Sequence, residues 1–110
     1  MIIMNKRKKI YISVPISGLP LAEARHRADL AKARLSREGF APVSPFDIYA
    51  GKDPQWEDHM SADIRALLDC DGIYMCAGWK LSCGCTIEYE TARALMRFRR
   101  KHFRIIYETI

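Results

Sequence analysis

Long apolar runs are missing from this chain: no stretch approaches the roughly 20 consecutive apolar residues that a helical membrane span requires. The paired spacings of metal chemistry are missing too. Four cysteines stand at 70, 76, 83 and 85 and three histidines at 26, 59 and 102, with no C-x-x-C and no His pair at ligand spacing beside the C-x-C of Cys83 and Cys85. No metal or other cofactor is therefore expected. Met1 to Met4 is too short for the apolar core of a secretory signal and runs at once into charge, so reduced thiols and a cytoplasmic location are expected. Internal repeats, linkers and low-complexity segments are absent, and the 110 residues are read as one domain, 1–110.

What is present is an ordinary globular composition with an uneven excess of positive charge, +5 from 18 basic and 13 acidic residues. Lys6 to Lys9 precede the first strand pattern, and Arg93, Arg97, Arg99, Arg100, Lys101, His102 and Arg104 crowd the last helix pattern and the strand pattern after it. These residues are not interleaved with aromatic stacking platforms, so a solvated face that attracts anionic metabolites is expected rather than a nucleic-acid surface.

Apolar and polar residues then alternate between strand and helix patterns. Ile10 to Val14 reads as a short buried strand that stops at Pro15. A loop, Pro15 to Pro20, leads into a helix to about Glu38 that buries Ala24, Ala28, Ala31 and Leu35, with Gly39 as its stop. Phe40 to Pro45 reads as a second strand, placed at a sheet edge by its prolines. Asp53 and Pro54 read as the cap and first position of a second helix, with Trp56, Met60, Ile64, Leu67 and Leu68 as its apolar stripe and Asp63 at the border of that stripe. Gly72 to Ala77 and Phe103 to Tyr107 read as two more strands. Strands alternating with helices predict an α/β fold, a parallel sheet with right-handed crossovers.

The segment from Gly78 to Ala92 joins the third strand to a helix whose residues Ile87, Thr91, Ala94, Leu95 and Phe98 fall at helical spacing. Such a junction lies at the carboxyl end of a strand, where ligands of α/β sheets bind. Gly84 permits close backbone approach, and the free N–H groups of the first turn offer an anion site. Glu88 stands about one turn in, where the helix dipole favours its ionised form. A carboxylate so placed is a nucleophile or base in a cleft, or merely complements the dipole. A carboxyl at a core border, Asp63, is where a raised pKa is produced.

Several segments together, Lys9 to Gly18, Val43 to Asp47, Trp56, Met60, Asp63-Ile64, Cys70 to Met75, Gly78-Trp79, Ser82 to Cys85, Glu88 and Ala92, resemble a small uncharacterised family within the nucleoside 2-deoxyribosyltransferase-like superfamily. The resemblance spans nearly the whole chain. It implies a flavodoxin-like or Rossmann-like parallel sheet of four to five strands flanked by helices, and chemistry at the N-glycosidic bond of a nucleoside or nucleotide. By it, Glu88 would attack the anomeric carbon, Asp63 would protonate the leaving base, and Tyr11 would hold the nucleophile. Ser13, Ser17 and Gly18 would face a 5′-hydroxyl or 5′-phosphate, Trp79 would cover the base or the cleft mouth, and Ser82 and Gly84 would line the substrate site. Trp79 also fits a core or interface aromatic.

The same resemblance implies a homodimer or larger homo-oligomer, with a small-molecule nucleoside or nucleotide as ligand and neither membrane nor nucleic acid as partner. The sequence departs from characterised relatives at Val14 and Glu90, where they carry glycine, and at Ser82, where they carry an aspartate that handles the base. They also continue beyond the last strand, whereas this sequence stops at Ile110. The expectation therefore moves from base exchange toward hydrolysis, with a non-catalytic nucleotide-binding module of the same fold as the alternative.

Overall fold

A computed structural model describes residues 6–109; the readings placed on Met1 to Met4 and on the stop at Ile110 lie outside them. The chain opens with β1 (Lys9–Ser13), whose pleat sends alternate side chains to opposite faces of the sheet. Ile10 and Ile12, continued by Val14, join one core cluster, and Tyr11 joins the other. The first helix, α1 (Leu21–Arg37), buries Ala24, Ala28, Ala31 and Leu35 as the periodicity predicts. Its small residues allow the helix to lie close to the strands. It ends in a Schellman motif: the Phe40 N–H donates to Leu35 O at 2.9 Å and the Gly39 N–H to Ser36 O at 3.1 Å, with Gly39 at a φ of 91°.

The short β2 (Ala41–Val43) pairs with β1 in the register Ile10↔Pro42 and lies at the sheet edge. There the missing N–H of Pro42 is tolerated. A single 3₁₀ turn, Pro45–Asp47, begins the long connection to α2 (Trp56–Leu68). This helix starts later than Asp53 and Pro54 suggest. Its cap is Gln55, whose N–H donates to the Asp58 carboxylate at 2.9 Å in a capping box, while Asp53 is held at a φ of 52° in the preceding turn. The reciprocal box satisfies two orphan donors at once, which an Asp53-Pro54 start would not.

After β3 (Gly72–Met75) come a 3₁₀ turn, Trp79–Leu81, then α3 (Cys83–Phe98) and β4 (Arg104–Tyr107). The four strands are all parallel in the order β2-β1-β3-β4. Connections from β1 run outward in one direction to β2 and in the other through β3 to β4. Right-handed crossovers therefore put α1 on one face and α2 and α3 on the opposite face. The result is a flavodoxin-like or Rossmann-like α/β fold, with its switch point at the carboxyl ends of β1 and β3.

One helical face differs from the apolar periodicity. Helix α3 buries Cys85, Glu88 and Ala92, while Ile87, Ala94 and Phe98 lie on exposed faces, Phe98 at 70 % exposure. Counting apolar residues alone rotates the helix, because the residue at the centre of its inward face is a glutamate. No helix of the described residues is long and apolar enough to cross a membrane.

Candidate functional site

The switch point opens into a cleft of about 410 Å³ between α1, α2 and α3, within the range of small-molecule sites. At its floor Tyr11 comes from β1, Asp63 from the inward side of α2, and Glu88 from the second turn of α3. Glu88 is only 4 % exposed. Its two oxygens are held separately: the Tyr11 hydroxyl donates to Oε2 at 2.6 Å and the Ser13 hydroxyl to Oε1 at 2.7 Å. Both donors lie on the same face of β1, two residues apart, so the strand's pleat alone sets the spacing that grips the carboxyl.

Burial pushes the Glu88 pKa up to about 7, against the two donated hydrogen bonds and with a further rise from Asp63. The expectation that the helix dipole keeps Glu88 ionised is thus corrected. Loss of hydration outweighs the dipole, whose effect falls off beyond the first turn of the helix. Asp63 is likewise buried, 7 % exposed, rather than at the border of its stripe. It faces inward with Leu67, while Trp56 and Leu68 flank it on the exposed side. Burial raises its pKa to about 6, opposed by the His59 imidazole and by the Tyr11 hydroxyl. Tyr11 itself is pushed well above the usual phenol value, first by burial and then by the neighbouring Glu88 and Asp63, and stays a hydrogen-bond donor.

The remaining expected residues divide. Ser17, Ser82 and Gly84 line the cleft. The Ser82 hydroxyl is engaged as the cap of α3, accepting from the Cys85 N–H at 3.2 Å. Gly84 is where α3 passes α2: a Cβ there would stand 3.2 Å from Met60 Sδ, so the absent side chain sets how closely the two walls approach. Ser13 is fully buried beneath Glu88 rather than facing the ligand space, and Gly18 sits in an exposed turn away from the lining. Trp79 also lies outside the lining. Its ring packs on Tyr89 with centroids 4.3 Å apart, next to Tyr107.

Other lining residues were not singled out as site residues. Phe46, Trp56 and Met60 form apolar walls, His59 stands one turn before Asp63, and Arg25 projects from α1. Helical spacing carried part of this signal, since Trp56, His59, Met60 and Asp63 fall at i, i+3, i+4 and i+7 and share a face. Nothing local marks Phe46 or Arg25, which reach the cleft through the sheet topology.

Among the described residues no cluster of three or more His, Cys, Asp or Glu side chains is arranged to hold a metal ion. The arrangement can hold a small ligand between largely apolar walls and against two buried carboxyls that change protonation near neutrality, one of them oriented at both oxygens. No curated protein matches the sequence. Residues 8–98 match a family described as a domain of unknown function, DUF4406, and the chain belongs to that family.

Proposed function

We propose that the protein cleaves the N-glycosidic bond of a nucleoside or nucleotide, with Glu88 as nucleophile and Asp63 as general acid and base. The observation that carries this reading is the Glu88 carboxyl, buried at the floor of a cleft, fixed at both oxygens by Tyr11 and Ser13 and accompanied by a second buried carboxyl. The resemblance to nucleoside 2-deoxyribosyltransferase-like proteins supports the same roles.

In the first step a Glu88 oxygen forms a bond to the anomeric carbon while the bond from that carbon to the base nitrogen breaks. The departing base takes the proton of Asp63. In the second step Asp63, now ionised, removes a proton from water, whose oxygen displaces Glu88 from the sugar; free sugar leaves and both carboxyls return to their starting states. Double displacement retains configuration at the anomeric carbon. Between about pH 6 and 7 the pair tends to hold a single proton, and the higher pKa of Glu88 puts it mainly there, so the productive form, with the proton on Asp63, is the minor one of the pair. The hydroxyls of Tyr11 and Ser13 raise the share of that form because both donate to Glu88 and so stabilise its charge.

The test is chromatography of ribo- and 2′-deoxynucleosides and their monophosphates after incubation with the protein, beside the Glu88→Gln variant. Release of free base, lost by about 10³-fold or more in the variant, is the expected outcome for removal of a nucleophile. Intact substrates with folded protein overturn the catalytic reading and leave a binding module of the same fold.

A further inference from the structure

One permanently charged side chain in the cleft has no part in the chemistry above. Arg25, on the second turn of α1, lines the ligand space, and its guanidinium carbon lies 4.7 Å from the centroid of the Phe46 ring, another lining residue. Three other cations of α1 are occupied. Arg27 donates to Ala77 O and stands 4.0 Å from Glu108, Lys32 pairs with Asp47 at 2.8 Å, and Arg34 pairs with Glu38 at 2.8 Å. Arg25 has no carboxylate within 4.0 Å among the described residues.

The cleft is therefore polarised, with titrating carboxyls at the floor and a fixed cation at the rim, set against the flat face of Phe46. While the cleft holds water the guanidinium is hydrated at little cost. Arg25 is exposed, so its guanidinium stays hydrated beside a neutral occupant, which gains nothing from it. A phosphate, whose oxygens match the planar donor fork of arginine, gains a charge-assisted pair there. Deepening the glycosidic reading, on which the choice of nucleotide rests, we infer that Arg25 receives a phosphate on the ligand, so that the cleft takes phosphorylated nucleosides in preference to free nucleosides. The Ser17 hydroxyl, on the loop before α1, lines the same cleft and supplies a second polar contact for the anion.

The experiment measures binding to the full chain carrying Glu88→Gln, with Arg25 intact or changed to Gln or to Lys. The probes are 2′-deoxynucleosides, their 5′-monophosphates and ribose 5-phosphate, followed by calorimetry or NMR titration. With Arg25 intact the monophosphates bind about 10-fold more tightly than the nucleosides, the gain of a charge-assisted contact. Arg25→Gln removes that advantage by weakening the monophosphates far more than the nucleosides, while Arg25→Lys keeps part of it as a point charge. Equal affinity for nucleoside and monophosphate, equal losses for both in Arg25→Gln, or no binding of any phosphorylated probe overturns the inference.

The two readings fail separately. Ribose 5-phosphate bound through Arg25 while wild-type protein cleaves no nucleotide leaves the anion site standing and removes the glycosidic chemistry. Nucleosides cleaved without regard to phosphate or to Arg25 do the reverse.

Discussion

The two faces of the sheet are built from alternate residues of the same strands, yet they hold different chemistry. On the α1 side Ile10, Ile12, Val14, Tyr74 and Cys76 meet Ala28, Ala31 and Leu35 in a close-packed apolar layer. On the α2 and α3 side the next residues along the strands, Tyr11, Ser13, Ile73 and Met75, meet Leu67, Cys85 and Ala92 together with Asp63 and Glu88. Both faces bury a hydrophobic cluster, and the second gives up part of its stabilisation to keep two carboxyls out of water. Such a division is expected where a binding site shares a core with its scaffold, because buried ionisable groups destabilise in proportion to their shifted pKa.

The contrast breaks most strongly at Ile12, fully buried on the apolar face. Ile12→Ala lowers unfolding free energy by about 2–5 kcal/mol, the transfer and cavity cost of such a truncation. Because Ile12 points away from the site, an NMR titration of the Glu88 carboxyl is expected to remain where it is in the wild type. Denaturant unfolding beside that titration checks both halves, and a displaced Glu88 titration would show that the two faces are not independent.

That division also explains which parts of the structure were legible in the sequence. The apolar face obeys the rule that hydrophobic spacing equals burial, so Ala24, Ala28, Ala31 and Leu35 of α1 could be read directly, as could the alternation of β1 and the edge position of a strand containing Pro42. On the other face the rule fails, because the centre of the buried side of α3 is Glu88 and that of α2 includes Asp63. Spacing therefore turned α3 toward Ile87 and Phe98 and set Asp63 at a border. That Glu88, Asp63 and Tyr11 share one cleft is what the family resemblance implied, and hydrophobic pattern did not show it. Arg25 and Phe46 come together only once β2 lies beside β1, information no local window contains. The protonation of Glu88 escaped for a related reason: a dipole is visible in a helix start, whereas desolvation depends on what packs over it.

A smaller and pH-dependent effect is expected at Glu88. Its folded pKa of about 7 lies above the ordinary glutamate value of 4.5, so the native state binds the proton more tightly than the unfolded chain does. Below about pH 4.5 both states are protonated and the group has no linkage effect. As pH rises toward 7 the unfolded state ionises first and the native state loses stability relative to it, by about 3 kcal/mol once both are ionised. Glu88→Gln removes that dependence. Its stability relative to wild type should therefore climb by about 3 kcal/mol between pH 4.5 and 8 in urea melts, and a difference constant across that range would contradict the burial argument.

The smallest effect sharpens the comparison, because it asks whether the polar residues of β1 serve the site or merely fill the core. Ser13→Ala deletes one of two donors to Glu88 and leaves a space of only one oxygen atom, so stability falls by about 1 kcal/mol. A filler would do no more. A residue that stabilises the Glu88 charge does something further when removed: the carboxyl holds its proton to higher pH, while Oε2 remains held by Tyr11. The Glu88 titration should therefore move upward in Ser13→Ala and return toward its original position in Ser13→Thr, which restores a hydroxyl at that site. If cleavage is found, the acidic limb of its pH profile moves with it, since the nucleophile must ionise before it attacks. Loss of stability with an unmoved titration would place Ser13 with the scaffold, and the polar face would then end at Tyr11.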